Sequence, residues 1–228
     1  MSLSSQLTPL ERPRNLRETV LDQLRAAIIT GELAEGTVVS APVLGQALGV
    51  SATPVREAMM DLAREGLVET IKNKGFLITT MSEKDLDDLT EIRLLIEPPI
   101  MHAVIENIPD AAFTELDALA DECLRAAETK DLRAYLQLDR EFHAAILKHT
   151  GNPQLVELAT SLRIRTRLYG IAALANKGLL ADSAREHHRL IELLRAGDGP
   201  GAEQLMRQHI GHARDAWATG DPTSADGA

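Results

Sequence analysis

Apolar positions along the chain follow two regimes that change near Thr80. Leu16, Val20, Leu21, Leu24, Ala27 and Ile28 recur at three- and four-residue steps and stop at Gly31, which predicts an amphipathic helix with a glycine cap. A β-prone piece, Thr37-Val38-Val39, follows. Ser40 is then placed to cap a helix through Val43, Leu44, Ala47 and Leu48 that stops at Gly49. Thr53 as N-cap and Pro54 at the first helical position predict the next helix, which buries Val55, Met59, Leu62 and Ala63 and ends at Gly66. Leu67–Thr70 and Phe76–Thr80 read as two short strands around Lys72-Asn73-Lys74-Gly75, where the glycine supplies the turn.

Beyond Thr80 the period is helical almost to the end, and Ser82 and Asp85 have the spacing of a capping box. Helices are expected at about 82–106 (kinked at Pro98-Pro99), 110–128, 131–149, 153–176, 182–196 and 200–218. The breaks carry turn chemistry, as in Gly151-Asn152-Pro153 and Gly197-Asp198-Gly199-Pro200. The expected organisation is a flexible arm over 1–13, a winged helix-turn-helix (α+β) over 14–80, an all-α bundle of six or seven helices over 81–218, and a disordered tail over 219–228.

Composition narrows the class. Apolar residues at 44% and charged residues at 25% suit a soluble globular chain, while only 3% aromatics beside abundant Leu and Ala favours helices. No apolar run reaches the roughly 18 residues of a membrane span, and Met1 to Pro13 is polar rather than a signal peptide, so a cytoplasmic protein is expected. Cys123 is the only cysteine, which excludes an intrachain disulfide and a thiolate zinc cluster. The net charge of −10 argues against a generally basic nucleic-acid binder, but it is unevenly placed. Residues 1–80 hold 8 Lys and Arg against 9 Asp and Glu, a net of −1, and the remainder carries −9. A nearly neutral first part can still present a local basic face to DNA.

A helix ending at Gly49, a tight turn and a second helix opening with polar and basic residues fit a helix-turn-helix, whose second helix enters the major groove. Arg56 could reach guanine O6 and N7 or clamp a phosphate, and the Ser51 and Thr53 hydroxyls suit phosphate oxygens. Lys72, Asn73 and Lys74 make a basic hairpin tip beside Gly75. On spacing alone, such a layout also occurs in helical domains that bind no DNA, with Arg56 merely solvated. Leu48-Gly49-Val50-Ser51-Ala52-Thr53-Pro54-Val55-Arg56-Glu57-Ala58, with Glu65-Gly66-Leu67-Val68 and Asn73-Lys74-Gly75-Phe76, resembles the signature of GntR-family regulators. The resemblance implies a homodimeric winged-helix repressor or activator on palindromic double-stranded operator DNA, with Ser51, Thr53, Arg56 and the wing around Lys74 and Gly75 at the DNA. Many members carry Arg where this chain has Ala52, and another basic residue near Pro42, so those contacts are missing here.

In the second half, Asp139 and His143 are four apart on a helix whose apolar stripe includes Leu132, Leu136, Ile146 and Leu147. His187 shares a face with Leu190, Ile191 and Leu194, and His209 with Leu205, Met206 and Ala213. His188 and His212 turn toward polar neighbours, and His102 and His149 read as ordinary residues. One buried histidine is usually a satisfied core residue, but three imidazoles with one carboxylate make a donor set suited to zinc, nickel or manganese. The same positions resemble the metal motif of the FCD sensor domain in the FadR-type branch of the GntR family, Asp-x-x-x-His followed by one His on each of two later helices. That resemblance covers roughly 14–218. It implies a divalent metal, zinc foremost, at Asp139, His143, His187 and His209, and an arginine at position 93 facing the effector pocket. Arg163, Arg165 and Arg167 lie on a helix that could line the other side, with Arg163 and Arg167 taken as effector contacts. Arg93 and Glu97 could equally be an i,i+4 surface pair.

The function expected is transcriptional regulation, with operator affinity set by a small carboxylate metabolite bound across the metal and Arg93. The rival is a metal-dependent hydrolase using the three-His, one-Asp site to activate water, for which the sequence offers no evident general base. A third possibility is a metal that only stabilises the fold.

Overall fold

The computed structural model describes residues 16–218, so the expected arm at 1–13 and tail at 219–228 lie outside the described residues. The first part comprises α1 (Leu16–Ile29), β1 (Val38–Val39), α2 (Ala41–Leu48), α3 (Ala52–Arg64), β2 (Val68–Ile71) and β3 (Gly75–Ile78). The period of α1 buries Val20, Leu24 and Ile28 in one apolar cluster with Val55, Met59 and Leu62 of α3. Between α2 and α3, Gly49 takes a left-handed conformation at φ 68°, and the Val50 N–H donates to the Gly45 carbonyl at 2.9 Å.

Three local features differ from expectation. The N-cap of α3 is Ser51 rather than Thr53, which places Pro54 third in the helix. The first turn has no intrahelical acceptors to lose, so proline is tolerated there too. The β-prone piece pairs with the hairpin, giving an antiparallel sheet of order β1-β3-β2, with Val39 opposite Phe76 and Thr70 on its other side. This pairing also explains Gly75. The left-handed turn residue is Asn73, at φ 62°, whereas a Cβ on Gly75 would lie 2.2 Å from the Val39 carbonyl oxygen.

The second part is six helices: α4 (Glu83–Asn107), α5 (Ala112–Glu128), α6 (Leu132–Leu147), α7 (Pro153–Asn176), α8 (Leu180–Ala196) and α9 (Gly199–Ala218). The capping box opens α4: Ser82 Oγ accepts from the Asp85 N–H at 3.1 Å while Asp85 Oδ2 accepts from the Ser82 N–H at 3.0 Å. α4 continues as one helix through Pro98 and Pro99. Pro98 offers no N–H to the Leu94 carbonyl, which instead accepts from Arg207 Nη1 of α9 at 3.4 Å. α4 packs on α9, and α5 on α6 and α8. Met101, Phe113, Leu116, Phe142, Ile146, Ile191 and Leu205 belong to the core they enclose.

The two parts do not separate at their apolar core. The cluster that holds Val20, Leu24 and Met59 continues into Tyr135 of α6 and Ile164 and Ile171 of α7, and α1 packs directly on α7. Among the described residues, no helix is long and apolar enough to cross a membrane.

Candidate functional site

The helical period of α6 carries Asp139 and His143 on its buried side, α8 delivers His187 and α9 delivers His209. One ligand atom from each of the four lies within 4.8 Å of the others. Donors placed tetrahedrally around a single ion at about 2.0–2.2 Å stand about 3.3–3.6 Å apart, so side-chain shifts that draw the widest pair in by about an ångström would seat one. The rings of His143, His187 and His209 have centroids 5.0–5.3 Å apart, and Phe142 stacks on His187 at 4.2 Å.

The protonation states suit ligation. Burial, reinforced by Arg163, holds the His143 pKa well below its ordinary value, against the opposing pull of Asp139. The imidazole is therefore neutral, and its buried Nε2 makes no hydrogen bond among the described residues, the Asp139 Oδ1 standing 3.8 Å away. His187 Nε2 lies 3.5 Å from the same oxygen. His209 Nδ1 contacts Glu186 Oε2 at 2.8 Å. That carboxylate favours the Nδ1–H tautomer and leaves the Nε2 lone pair for the cluster, the arrangement in which metal-ligating histidines are usually held.

Behind the cluster runs a buried ionic chain. Glu97 accepts from Arg93 Nε at 2.6 Å and from Arg163 Nη1 at 2.9 Å; Arg163 Nη2 donates to Asp139 Oδ2 at 3.3 Å and stands 3.4 Å from His209 Nε2. Arg93 Nη1 donates to the Thr166 hydroxyl at 2.9 Å, and that hydroxyl donates to the Leu162 carbonyl at 3.1 Å. Burial alone would raise the Glu97 pKa, but the two guanidinium groups outweigh it and lower it. Two buried cations therefore face two buried anions, with the neutral His143 imidazole beside them.

The expected residues distribute as follows. Asp139, His143, His187 and His209 converge, and Arg163 joins them directly. Arg93 and Glu97 form an i,i+4 pair, but a buried one rather than a surface one, and Arg93 is engaged by Glu97 and Thr166. Arg165 turns toward the first part of the chain, where a Cβ on Gly66 would lie 3.2 Å from its Nε. Arg167 sits on α7, with its side chain outside the described residues. His188 and His212 meet Asp121 and Glu186 at 2.9 Å each, at the exposed edge. Glu97, Thr166 and Glu186 were not foreseen as parts of the site. Glu97 had a signal in its four-residue spacing from Arg93; Glu186, 23 residues from His209, had none.

At the other end, Ser51, Thr53 and Arg56 lie exposed at the start of α3, and Arg56 has no ion-pair partner among the described residues. Lys72, Asn73 and Lys74 are exposed at the wing tip, and Gly75 opens β3. A helix-turn-helix and a basic wing, joined to a buried three-His, one-Asp cluster, agree with two family descriptions that match the chain. "Bacterial regulatory proteins, gntR family" matches residues 16–78, and "FCD domain" matches residues 88–212. The chain belongs to the GntR family and carries an FCD domain.

Its relatives are regulators by name. A Paenarthrobacter nicotinovorans protein, "Probable D-xylose utilization operon transcriptional repressor", is 31% identical over 203 residues, covering 86% of this GntR–FCD chain and 88% of that one. The HTH-type transcriptional regulator McbR of Escherichia coli is 26% identical over 197 residues, covering 84% and 89%. A solved structure of McbR superposes with a TM-score of 0.72 at 25% identity, covering 88% of this chain and 98% of that one. The GntR–FCD chain is thus a transcriptional regulator by family, and these relatives lend no support to the hydrolase reading.

Proposed function

We propose that this regulator binds operator DNA through Ser51, Thr53, Arg56 and the wing residues Lys72–Gly75, and that a small carboxylate metabolite bound near the Asp139, His143, His187 and His209 cluster controls that binding. The charge balance of the buried site carries the reading. Arg93 and Arg163 are matched by Glu97 and Asp139, and Glu186 adds one further carboxylate against His209. A divalent ion, zinc foremost with nickel or manganese as alternatives, would add a double positive charge, of which Glu186 answers one and a bound acid would answer the other in so buried a place. Asp139 would present Oδ1 to the ion while Arg163 holds Oδ2; Glu186 would keep His209 in the donating tautomer; His143 is already deprotonated. The acid would meet the cluster beside Arg163, with Arg93 steadying Glu97 behind it.

The winged helix-turn-helix over 14–80 and the sensor part over 81–218 would act as the two working parts of a cytoplasmic homodimer. Ile92, Leu95 and Pro99 form an exposed strip on α4 that suits a second copy, Leu95 being 70% exposed. Metal analysis of purified protein, followed by operator gel shifts with and without candidate acids, tests the reading. Operator affinity that changes with one acid and loses that response after chelation supports it; identical binding under every acid and after chelation refutes it.

A further inference from the structure

A cavity of about 230 Å3 lies between the DNA-binding part and the sensor part, walled by α1 on one side and by α6 and α7 on the other. At about 30 Å3 for each water-sized group, it has room for seven or eight such groups, the size of a small organic acid. Its carboxylates are already matched: Asp22 accepts from Arg25 at 2.6 Å, and Asp139 Oδ2 accepts from Arg163 at 3.3 Å. Three of its four arginines are matched as well, Arg25 by Asp22 and Glu65, Arg133 by Glu32, and Arg163 by Glu97 and Asp139. Arg140, half-buried in the wall, has no hydrogen-bond or ion-pair partner among the described residues. Arg163 keeps a buried Nε–H with no acceptor among them. Gln23, from α1, and Gln137, from α6, join the lining with apolar Ile29 and Ile164, the Gln137 amide donating to Glu141 Oε1 at 2.9 Å. The single unmatched guanidinium of Arg140, the spare Arg163 Nε–H and an aliphatic wall together describe a receptor for a short carboxylate.

The placement of α1 gives the cavity a consequence. Arg17 of α1 binds Asp61 of α3 at 2.5 Å, and Arg25 binds Glu65 at 2.6 Å, so α1 is tied to the helix that faces DNA. We propose that this cavity binds a small carboxylate between Arg140 and Arg163, with Gln23 of the DNA-binding part touching it directly. The ligand then acts on the recognition helix through α1 of its own chain. A ligand that fits only when α1 is docked favours the docked arrangement by its differential affinity. The effect on operator binding rests on the reading of the chain as a ligand-controlled regulator; the binding event does not.

Calorimetric titration of the full chain with succinate and with malonate, zinc-loaded and chelator-stripped, tests the site. Hydrogen exchange over residues 16–29 is read alongside. At least one acid is expected to bind and to slow exchange in α1. Arg140→Gln should weaken that binding about tenfold to a hundredfold and Gln23→Ala about threefold, with zinc affinity unchanged in both variants. Absence of binding by both acids, binding indifferent to both substitutions, or unaltered exchange in α1 overturns the proposal. Operator control by the acid that survives Arg140→Gln overturns it too, yet leaves the regulatory reading standing. Binding that behaves as expected without any change in operator affinity upholds the site and removes the regulatory reading instead.

Discussion

Replacing Glu186 with alanine should weaken metal binding without touching a ligand. Glu186 Oε2 receives the His209 Nδ1–H at 2.8 Å, and the carboxylate side chain is only 12% exposed. Its removal frees the ring to rotate or change tautomer, and it withdraws a negative charge from beside a site that would carry a cation. Losing such a partner typically lowers metal affinity about 10- to 100-fold, which is about 1.4–2.8 kcal/mol. Partial water access at Glu186 lets solvent replace some of the bond, so the loss should fall inside that range rather than beyond it. Glu186→Gln keeps an acceptor oxygen and loses the charge, so it should lie between wild type and Glu186→Ala. His212, half exposed, bonds the other carboxylate oxygen at 2.9 Å and loses that partner too once Glu186 is gone. Competition titrations of zinc against a chromophoric chelator would measure the three affinities, with His209→Ala as the reference for outright loss of a ligand. Equal zinc affinity in wild type and folded Glu186→Ala, alongside a clear loss in His209→Ala, would refute the role assigned to Glu186.

Other outcomes follow from the same structure. The folded-state pKa of His143 is depressed by burial and Arg163, so its contribution to stability is present above the unfolded value of 6.5 and lost as pH falls below it, where the unfolded chain takes up the proton first. Metal-free protein should therefore lose melting temperature from pH 7 toward pH 5, and a rise over that interval would contradict the buried neutral imidazole. Glu97→Leu leaves Arg93 and Arg163 without their shared carboxylate and should destabilise the fold by about 3–5 kcal/mol in denaturant titrations; a change within about 1 kcal/mol would mean the ionic chain is not formed. On DNA, Arg56→Ala should reduce operator affinity by about 1–3 kcal/mol with relaxed sequence preference, whereas Lys74→Ala should weaken all sequences alike and lower the salt slope by about 1. Filter binding at several salt concentrations separates the two, and a selective loss from Lys74→Ala would reverse the assignment.

Periodicity carried most of the element order. A helix repeats every 3.6 residues whatever surrounds it, so Asp139 and His143 could be placed on one buried face, and His187 preferred over His188, from the chain alone. The spacing of Ser82 and Asp85 read as a capping box for the same local reason, and the string from Leu48 to Ala58 was specific enough to suggest its family. Where a competing local choice existed, local signals faltered: Ser51 and Thr53 are both good N-cap residue types, and α3 starts from Ser51.

Only tertiary structure decided the rest, because those relations join residues far apart in the chain. Gly75 needs to be glycine because β1, laid down more than thirty positions earlier, passes against it. Arg163 meets Glu97 from 66 residues away and Asp139 from 24. Glu186 orients His209 across the gap between α8 and α9, and α1 closes a cavity whose other walls belong to the sensor part. The sequence by itself determined which donors were buried and which half would face DNA. The packing of α1, α6, α7, α8 and α9 decided what those donors meet, since burial is a property of one helix face and a site is a property of several faces brought together.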